Sequence, residues 1–256
     1  MEAALFSPSS LFQEAEDHDD QVADEADGCQ SPSEQTFVER THTFPGMDLK
    51  IREFSFHHLN ANLLWPGTFA FCDWLVQHKS LLIGRRILEL GSGTGALAIF
   101  LRKSFGVDIT TSDFDDKEVE ENIAYNCRAN ELEVLPHIGH SWGDVFPSAE
   151  VDWDLVIASD ILLYVKQYAN LIKTLSFLLK CYKQKDGKAH LGSPFATEVA
   201  DASGKVVQLQ QPAFLMSWKR RLGKDEQYFF DGCQDVGLEV VHLGSRVYYI
   251  TPRKTH

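Results

Sequence analysis

Apolar residues along this chain recur at two periods. Short unbroken apolar runs read as buried strands, and runs spaced by three and four read as helices with one packed face. Ile87 to Leu90 is a buried strand, followed at once by Gly91, Gly93 and Gly95, after which a helix carries Leu97, Phe100 and Leu101 on one face. Val107-Asp-Ile-Thr-Thr-Ser forms a second strand ending at Asp113, and Asp113-Phe-Asp-Asp opens a helix to about Asn130 with Asp115 as its expected cap. Asn122, Asn126 and Asn130 recur every fourth position of that helix and so share a face, as helix surface or packed against the N-terminal hairpin. A weaker third strand falls around Leu132 to Ile138. Trp153-Asp-Leu-Val-Ile-Ala-Ser-Asp160 is a fourth, buried strand, and a helix from about Lys166 to Tyr182 turns Tyr168, Leu171, Ile172, Leu175, Leu178 and Leu179 to the core. Ala213 to Lys219 is a fifth strand, and Gln227 to Val236 a helix closed by Gly237.

The flanks read differently. Thr36-Phe-Val and Leu49 to Phe54 alternate as a hairpin around Phe44-Pro-Gly-Met-Asp. Pro66 can start a helix, since the missing N–H costs nothing in a first turn, and Phe69, Cys72, Leu75 and Val76 continue it to about Lys79. Leu238 to Leu243 and Arg246 to Thr251, separated by Gly244-Ser245, form a C-terminal antiparallel hairpin. Lys183 to Gln211 is polar, glycine-bearing and aperiodic, and is expected to be a long loop. The fold class is therefore α/β: a Rossmann-like parallel sheet built from βα units, ending in an antiparallel hairpin and preceded by a β-hairpin extension.

Charge divides the chain in two. Ten of the 37 Asp and Glu, and none of the 24 Lys and Arg, fall in residues 1–35, so that segment is expected to be a disordered acidic tail and residues 36–256 the folded domain. The nearly balanced remainder offers no basic patch to displace counterions, which argues against nucleic-acid binding. No run of 18 apolar residues is present and the first residues lack the blocks of a signal peptide. The five scattered cysteines form no C-x-x-C and suit a reducing compartment. The expectation is a soluble protein of the cytoplasm, with the nucleus also open, acting as a monomer and away from membranes. His137 and His140 have no accompanying ligand pattern, so no metal site is expected.

The glycines carry the first chemical signal. A tight turn after a strand needs unusual backbone angles and lets a ligand lie on the main chain. Gly91, Gly93 and Ala96 also satisfy the dinucleotide fingerprint G-x-G-x-x-A, so the stretch alone is ambiguous. Glu89, Asp113 and Asp160 each end an expected strand, which places three carboxylates on one rim of the sheet beside the glycine turn. Ligands of open parallel sheets bind beyond that rim, where strand order reverses. Trp65 is either a core residue or a lid, and Trp142 either a packing residue or a wall for a purine ring.

An acid before the glycines and another ending the second strand resemble the seven-strand S-adenosylmethionine-dependent methyltransferases. More narrowly, Leu64-Trp-Pro-Gly-Thr, Ile87-Leu-Glu-Leu-Gly-Ser-Gly-Thr-Gly, Thr111-Ser-Asp, Ser141-Trp-Gly-Asp and Asp154-Leu-Val-Ile-Ala-Ser-Asp resemble, in order and spacing, the motifs of the family-16 protein-lysine methyltransferases. The resemblance covers about residues 36–182 well and the C-terminal hairpin loosely. It implies S-adenosylmethionine as cofactor and contacts to it from Trp65, Gly91, Ser92, Gly93, Asp113, Trp142 and Ser159; Glu89 and Gly95 join this set through the strand end and the glycine turn. It also implies a protein substrate methylated on lysine.

The family places Tyr or Phe three residues after the acid that follows strand four. Here Leu163 holds that position and Tyr164 comes one later; if the segment turns helically both offsets share a face and Tyr164 lines the pocket, whereas an extended segment would point it away. Asp160 is expected to hold and orient the amine, and Tyr164 to shape its channel. The Asn/Asp-Pro-Pro-Tyr segment of adenine-amino methylation is missing, as is a Cys near Asp160 for attack on pyrimidine carbon. A small-molecule or other protein-residue methyltransferase, and a non-catalytic binding module, stand as alternatives.

Overall fold

A computed structural model describes residues 36–148, 150–184, 197–218 and 225–254. The expected tail at 1–35, and residues 185–196 of the expected long loop, lie outside the described residues. In chain order the elements are β1 (Phe37–Phe44), β2 (Met47–Phe54), α1 (Pro66–Gln77), β3 (Arg86–Leu90), α2 (Ala96–Phe105), β4 (Asp108–Asp113), α3 (Lys117–Ala129), β5 (His137–Gly139) and β6 (Leu155–Ser159). They continue with α4 (Tyr168–Lys180), β7 (Thr197–Ala200), β8 (Val206–Leu209), β9 (Ala213–Ser217), α5 (Glu226–Asp235), β10 (Leu238–His242) and β11 (Val247–Pro252). Among the described residues, no helix is long and apolar enough to cross a membrane.

Seven strands form one sheet in the order β10-β11-β9-β6-β3-β4-β5. Its neighbours pair in parallel except β11, which runs against both β9 and β10. Strand order reverses between β3 and β6: the chain goes from β3 out to β4 and β5, then returns to β6 on the other flank. The central strands are apolar on both faces because helices cover both. Ile87, Leu155 and Ile157 point into a core shared with α1, α2 and β2, and Leu88, Leu90, Val156 and Ala158 into a second core with α4 and α5.

The hairpin β1–β2 is docked by the asparagines of α3. Asn130 Oδ1 accepts from Lys50 N at 3.0 Å and Asn126 Oδ1 from Arg52 N at 2.7 Å. Their amides return the bond to the carbonyls of Lys50 and Arg52 at 2.7 and 3.2 Å. Four helical residues rise about 6 Å, close to the two-residue repeat of a strand at about 6.6 Å. Asparagines at spacing four therefore satisfy alternate residues on the open edge of β2, which settles the shared face as a hairpin contact.

Several boundaries differ from the sequence reading. The third strand is His137–Gly139 only, because Leu132 to Leu135 forms the loop that leads into it and Pro136 precedes it. The cap of α3 is Asp116, which accepts from Glu118 N at 2.8 Å; Asp115 packs against Gly139 instead. The expected loop at 183–211 contains the hairpin β7–β8, closed by Asp201, whose carboxylate accepts from Ser203 N and Lys205 N. Val199 and Leu209 are its buried residues, too few to mark a period in the sequence.

Candidate active site

The segments that follow four strands of the central sheet meet the loop between β2 and α1 around one cavity of about 320 Å³. Gly91 and Gly93 follow β3, Asp113 and Phe114 end β4, and His140, Ser141, Trp142 and Asp144 follow β5. Ser159, Asp160, Ile161, Leu163 and Tyr164 follow β6, with Gln167 and Asn170 at the start of α4. Leu59, Asn60, Ala61 and Trp65, from the loop between β2 and α1, complete the wall. The cavity lies at the reversal of strand order, where open α/β sheets bind ligands.

The glycine turn is held in shape from two sides. Ser92 N donates to Ser112 O at 3.1 Å, and Ser92 Oγ takes a bond from Ser112 N at 3.1 Å, tying the turn to β4. Gly91 has φ +65°, and a Cβ there would meet Ile161 Cγ2 at 2.7 Å. Gly93 has φ +51° and lies under Ala61, whose carbonyl oxygen would be 3.5 Å from its Cβ. Glycine is thus required at Gly91 by both backbone angle and close approach.

Three acids sit at the ends of β3, β4 and β6, as the sequence pattern indicates. Asp113 Oδ2 accepts from Gly93 N at 2.7 Å and Oδ1 from Phe114 N at 2.8 Å; a carboxylate retains further lone pairs for a ligand hydroxyl. Burial pushes its pKa up against these bonds. Glu89 is wholly buried, with Oε2 unpartnered among the described residues, and burial raises its pKa to about 8, with Asp113 adding to the rise. Asp160 is buried at φ +52°, an angle Asp tolerates better than most residues. Its N–H donates to Ser217 O at 3.0 Å and its Oδ2 accepts from Gly67 N at 2.6 Å. That donor lies in the first turn of α1, where exposed N–H groups and the helix dipole favour an anion. Beside it Thr68 Oγ1 and Ser159 Oγ share a hydrogen bond of 2.9 Å.

Of the residues singled out from sequence, Trp65, Gly91, Gly93, Asp113, Trp142, Ser159, Asp160 and Tyr164 line the cavity. Glu89, Ser92 and Gly95 do not. Ser92 braces the turn, and Gly95 caps α2, with a Cβ there meeting Ile123 Cγ2 at 3.0 Å. Tyr164 reaches the cavity for a different reason than expected. The segment after Asp160 is not helical, and Tyr164 itself is extended. Asn60 Nδ2 donates to its hydroxyl at the rim of the cavity.

Sequence reasoning missed Phe114, Asn60, Leu59, Ala61 and the residues from α4. Phe114 had a signal, as the apolar neighbour of the acid ending β4. Asn60 had none: its role depends on φ +58° and on contacts to Tyr164, 104 positions away, and to Trp65 Nε1, which donates to Asn60 O at 3.1 Å.

The lining fits an S-adenosylmethionine-sized, cationic ligand. Its volume lies in the range of small-molecule sites. It carries the carboxylates of Asp113, Asp144 and Asp160 and, among the described residues, neither Lys nor Arg. Trp65, Phe114 and Trp142 supply aromatic surface for a base or a sulfonium.

Residues 43–185 match the family model described as lysine methyltransferase. The chain is 27% identical over 170 residues to the protein N-terminal and lysine N-methyltransferase efm7 of Aspergillus fumigatus, covering 61% of this chain and 64% of that protein. It is 26% identical over 126 residues to the histone-arginine methyltransferase METTL23 of Xenopus laevis, covering 48% of this chain and 53% of that one. The chain thus spans less than two thirds of the length of these relatives. A solved 16S rRNA methyltransferase of T. thermophilus, in complex with AdoMet and guanosine, shares the fold at a TM-score of 0.56 and 14% identity, covering 87% of this chain and 52% of that one.

Proposed function

The chain belongs to the lysine methyltransferase family, and on that premise we propose that it transfers a methyl group from S-adenosylmethionine to a lysine side chain of a protein substrate. The observation that carries this reading is the convergence of Gly91, Gly93, Asp113, Trp142 and Asp160 on one acidic, aromatic cavity at the reversal of strand order. The glycine turn and Asp113 would hold the nucleoside part, and Trp65, Phe114 and Trp142 would give it apolar surface.

The cofactor supplies an already activated methyl group, so the protein has three tasks: exclude water, align the acceptor, and keep it uncharged. A lysine ammonium has a pKa near 10.4 and must lose its proton before attack. Asp160, fixed by Gly67 and Ser217, orients the amine, while Tyr164 and Leu163 narrow its approach; the proton passes to water. The names of the relatives support protein as the substrate. The four described cysteines are free thiols, three of them buried, which supports action in a reducing compartment such as the cytoplasm.

Similarity to an arginine methyltransferase favours a second reading, arginine as acceptor. A guanidinium stays protonated above pH 12 and asks more of the site. Incubating the protein with labelled S-adenosylmethionine and a cell extract, followed by acid hydrolysis of the labelled protein, separates the two. Methyl-lysine that disappears in Asp160→Ala is the expected product. Methyl-arginine establishes the second reading, and label confined to small molecules overturns both.

A further inference from the structure

We propose that His57 is a positioning residue that fixes the turn at 57–61 as one wall of the cofactor cavity, acting through the lone pair on Nδ1. The proposal rests on the S-adenosylmethionine reading of the cavity. It starts from two backbone bonds. Leu59 N and Ala61 N both donate to His57 Nδ1, at 3.2 and 3.3 Å. A nitrogen that accepts two N–H groups carries no proton, so the proton is on Nε2, and it points to Asp116 Oδ2 at 3.4 Å. One lone pair shared between two donors accounts for the length of both bonds.

The partners of this ring connect otherwise separate parts of the site. Leu59, Asn60 and Ala61 line the cavity, and the carbonyl of Ala61 lies over Gly93. Asn60 N closes the turn on His57 O at 2.9 Å, leaving the Asn60 side chain to hold the Tyr164 hydroxyl and its carbonyl to take Trp65 Nε1. On the other side Asp116 caps α3 through Oδ1, two residues beyond the lining residue Phe114. His57 is 5% exposed, and the His58 ring packs against it at 4.7 Å and against Phe114 at 5.3 Å. A buried imidazole with a single allowed tautomer therefore sets the height of the turn above the glycine loop. A ring without the Nδ1 acceptor fills the same space but leaves two backbone N–H groups unpaired.

Three substitutions divide these contributions. His57→Asn keeps an acceptor near Nδ1, His57→Gln keeps a donor toward Asp116, and His57→Phe keeps only the volume. Hydrogen exchange of the 57–65 segment in the ligand-free protein reports the turn, and calorimetry with S-adenosylmethionine reports the cavity. In His57→Phe and His57→Gln the Leu59 and Ala61 amides should exchange about tenfold faster and the dissociation constant should rise about tenfold. His57→Asn should restore both to within about threefold. Faster exchange with unchanged affinity overturns the proposal and leaves the cofactor reading intact, as does an Asn variant no better than Gln. Wild-type protein that protects both amides yet binds no S-adenosylmethionine overturns the cofactor reading instead. Should the Phe variant not fold, the contrast between Asn and Gln makes the same distinction.

Discussion

Asp160 and Gly67, 93 positions apart, meet through a 2.6 Å bond from the glycine N–H to the carboxylate. The contact joins two segments that sequence shows only as separate motifs, the Trp-Pro-Gly-Thr entry to α1 and the acid ending the fourth parallel strand. A Cβ on Gly67 would fall against the Asp160 carboxylate, 2.5 Å from Oδ1, so no other residue leaves room for the acid where it stands. The glycine is there for approach, and its N–H, in the first turn of the helix that begins beside it, is the donor that holds the carboxylate in place.

Gly67→Ala tests the contact directly. Alanine is the better helix former, so folding itself should survive. The methyl group must displace the Asp160 carboxylate or the start of α1, and a displacement of about 1 Å at a reacting centre costs on the order of 100-fold in rate. The expected outcome is kcat lowered by about that factor, with the S-adenosylmethionine dissociation constant within about threefold of wild type. A variant with wild-type kcat would show that the position of Asp160 is not set by α1.

Glu89 gives a prediction in which stability and binding move in opposite directions. Burial raises its pKa from 4.5 to about 8, so between those values the native state holds a proton that the unfolded chain has lost. Stability contributed at this position therefore falls as pH rises through the window. Glu89→Gln has no proton to lose and should be more stable than wild type at pH 8, on the order of 4 kcal/mol, with the gain shrinking toward pH 5. A cation bound in the cavity favours the ionised carboxylate, so the same variant should bind S-adenosylmethionine about tenfold more weakly. Thermal unfolding at pH 5 and 8, with calorimetry at pH 8, reads both halves. A Gln variant less stable than wild type at pH 8 would contradict the linkage.

Much of this arrangement was legible in the sequence because it rests on local patterns. Strand–glycine–helix order, the acids at strand ends and the two apolar faces follow from periodicity, and they place Gly91, Asp113 and Asp160 on one rim. What stayed hidden depends on contacts with no local mark. Tyr164 lines the cavity from an extended segment, not a helical one, with its hydroxyl bonded by Asn60. Asp116 displaces Asp115 as the cap because Asp115 is taken up against Gly139. The β7–β8 hairpin buries only two apolar side chains, and its turn of Asp, Ser, Gly and Lys reads as a loop until the partner strand is known.

The asparagine ladder predicts a large effect far from any ligand. Asn126 accepts from Arg52 N and donates to the carbonyls of Arg52 and Thr94, at 2.7, 3.2 and 2.9 Å. Asn126→Leu keeps the volume but takes this partner from Arg52 N and Thr94 O, while Arg52 O keeps the Asn122 amide at 3.0 Å. Leaving buried polar groups unpaired costs about 1–3 kcal/mol each before relaxation. The expected loss is about 3 kcal/mol, or roughly 6–12 °C in Tm for a domain of this size. Asn122→Leu, whose Oδ1 partner is the half-buried Arg52 Nε, should lose less. Urea unfolding of the two variants side by side gives the comparison, and equal losses would place the ladder's weight elsewhere.

Tyr164 separates shape from hydrogen bonding at the acceptor side of the site. Burial raises the pKa of its hydroxyl above the ordinary tyrosine value, so it stays protonated across the neutral range and cannot serve as a base there. Its contribution is then the ring, 39% exposed at the edge of the cavity, and the bond that Asn60 donates to it. Tyr164→Phe keeps the ring and should retain kcat to within about fivefold, since one partly exposed hydrogen bond is worth about 1 kcal/mol. Tyr164→Ala removes the wall and should lower kcat by about 100-fold through loss of acceptor alignment. S-adenosylmethionine affinity should change little in either. The pH–rate profiles of wild type and the Phe variant should coincide between about pH 7 and 9 apart from scale. A basic limb present in wild type and missing in Tyr164→Phe would mean that the hydroxyl titrates during turnover and takes part in proton transfer.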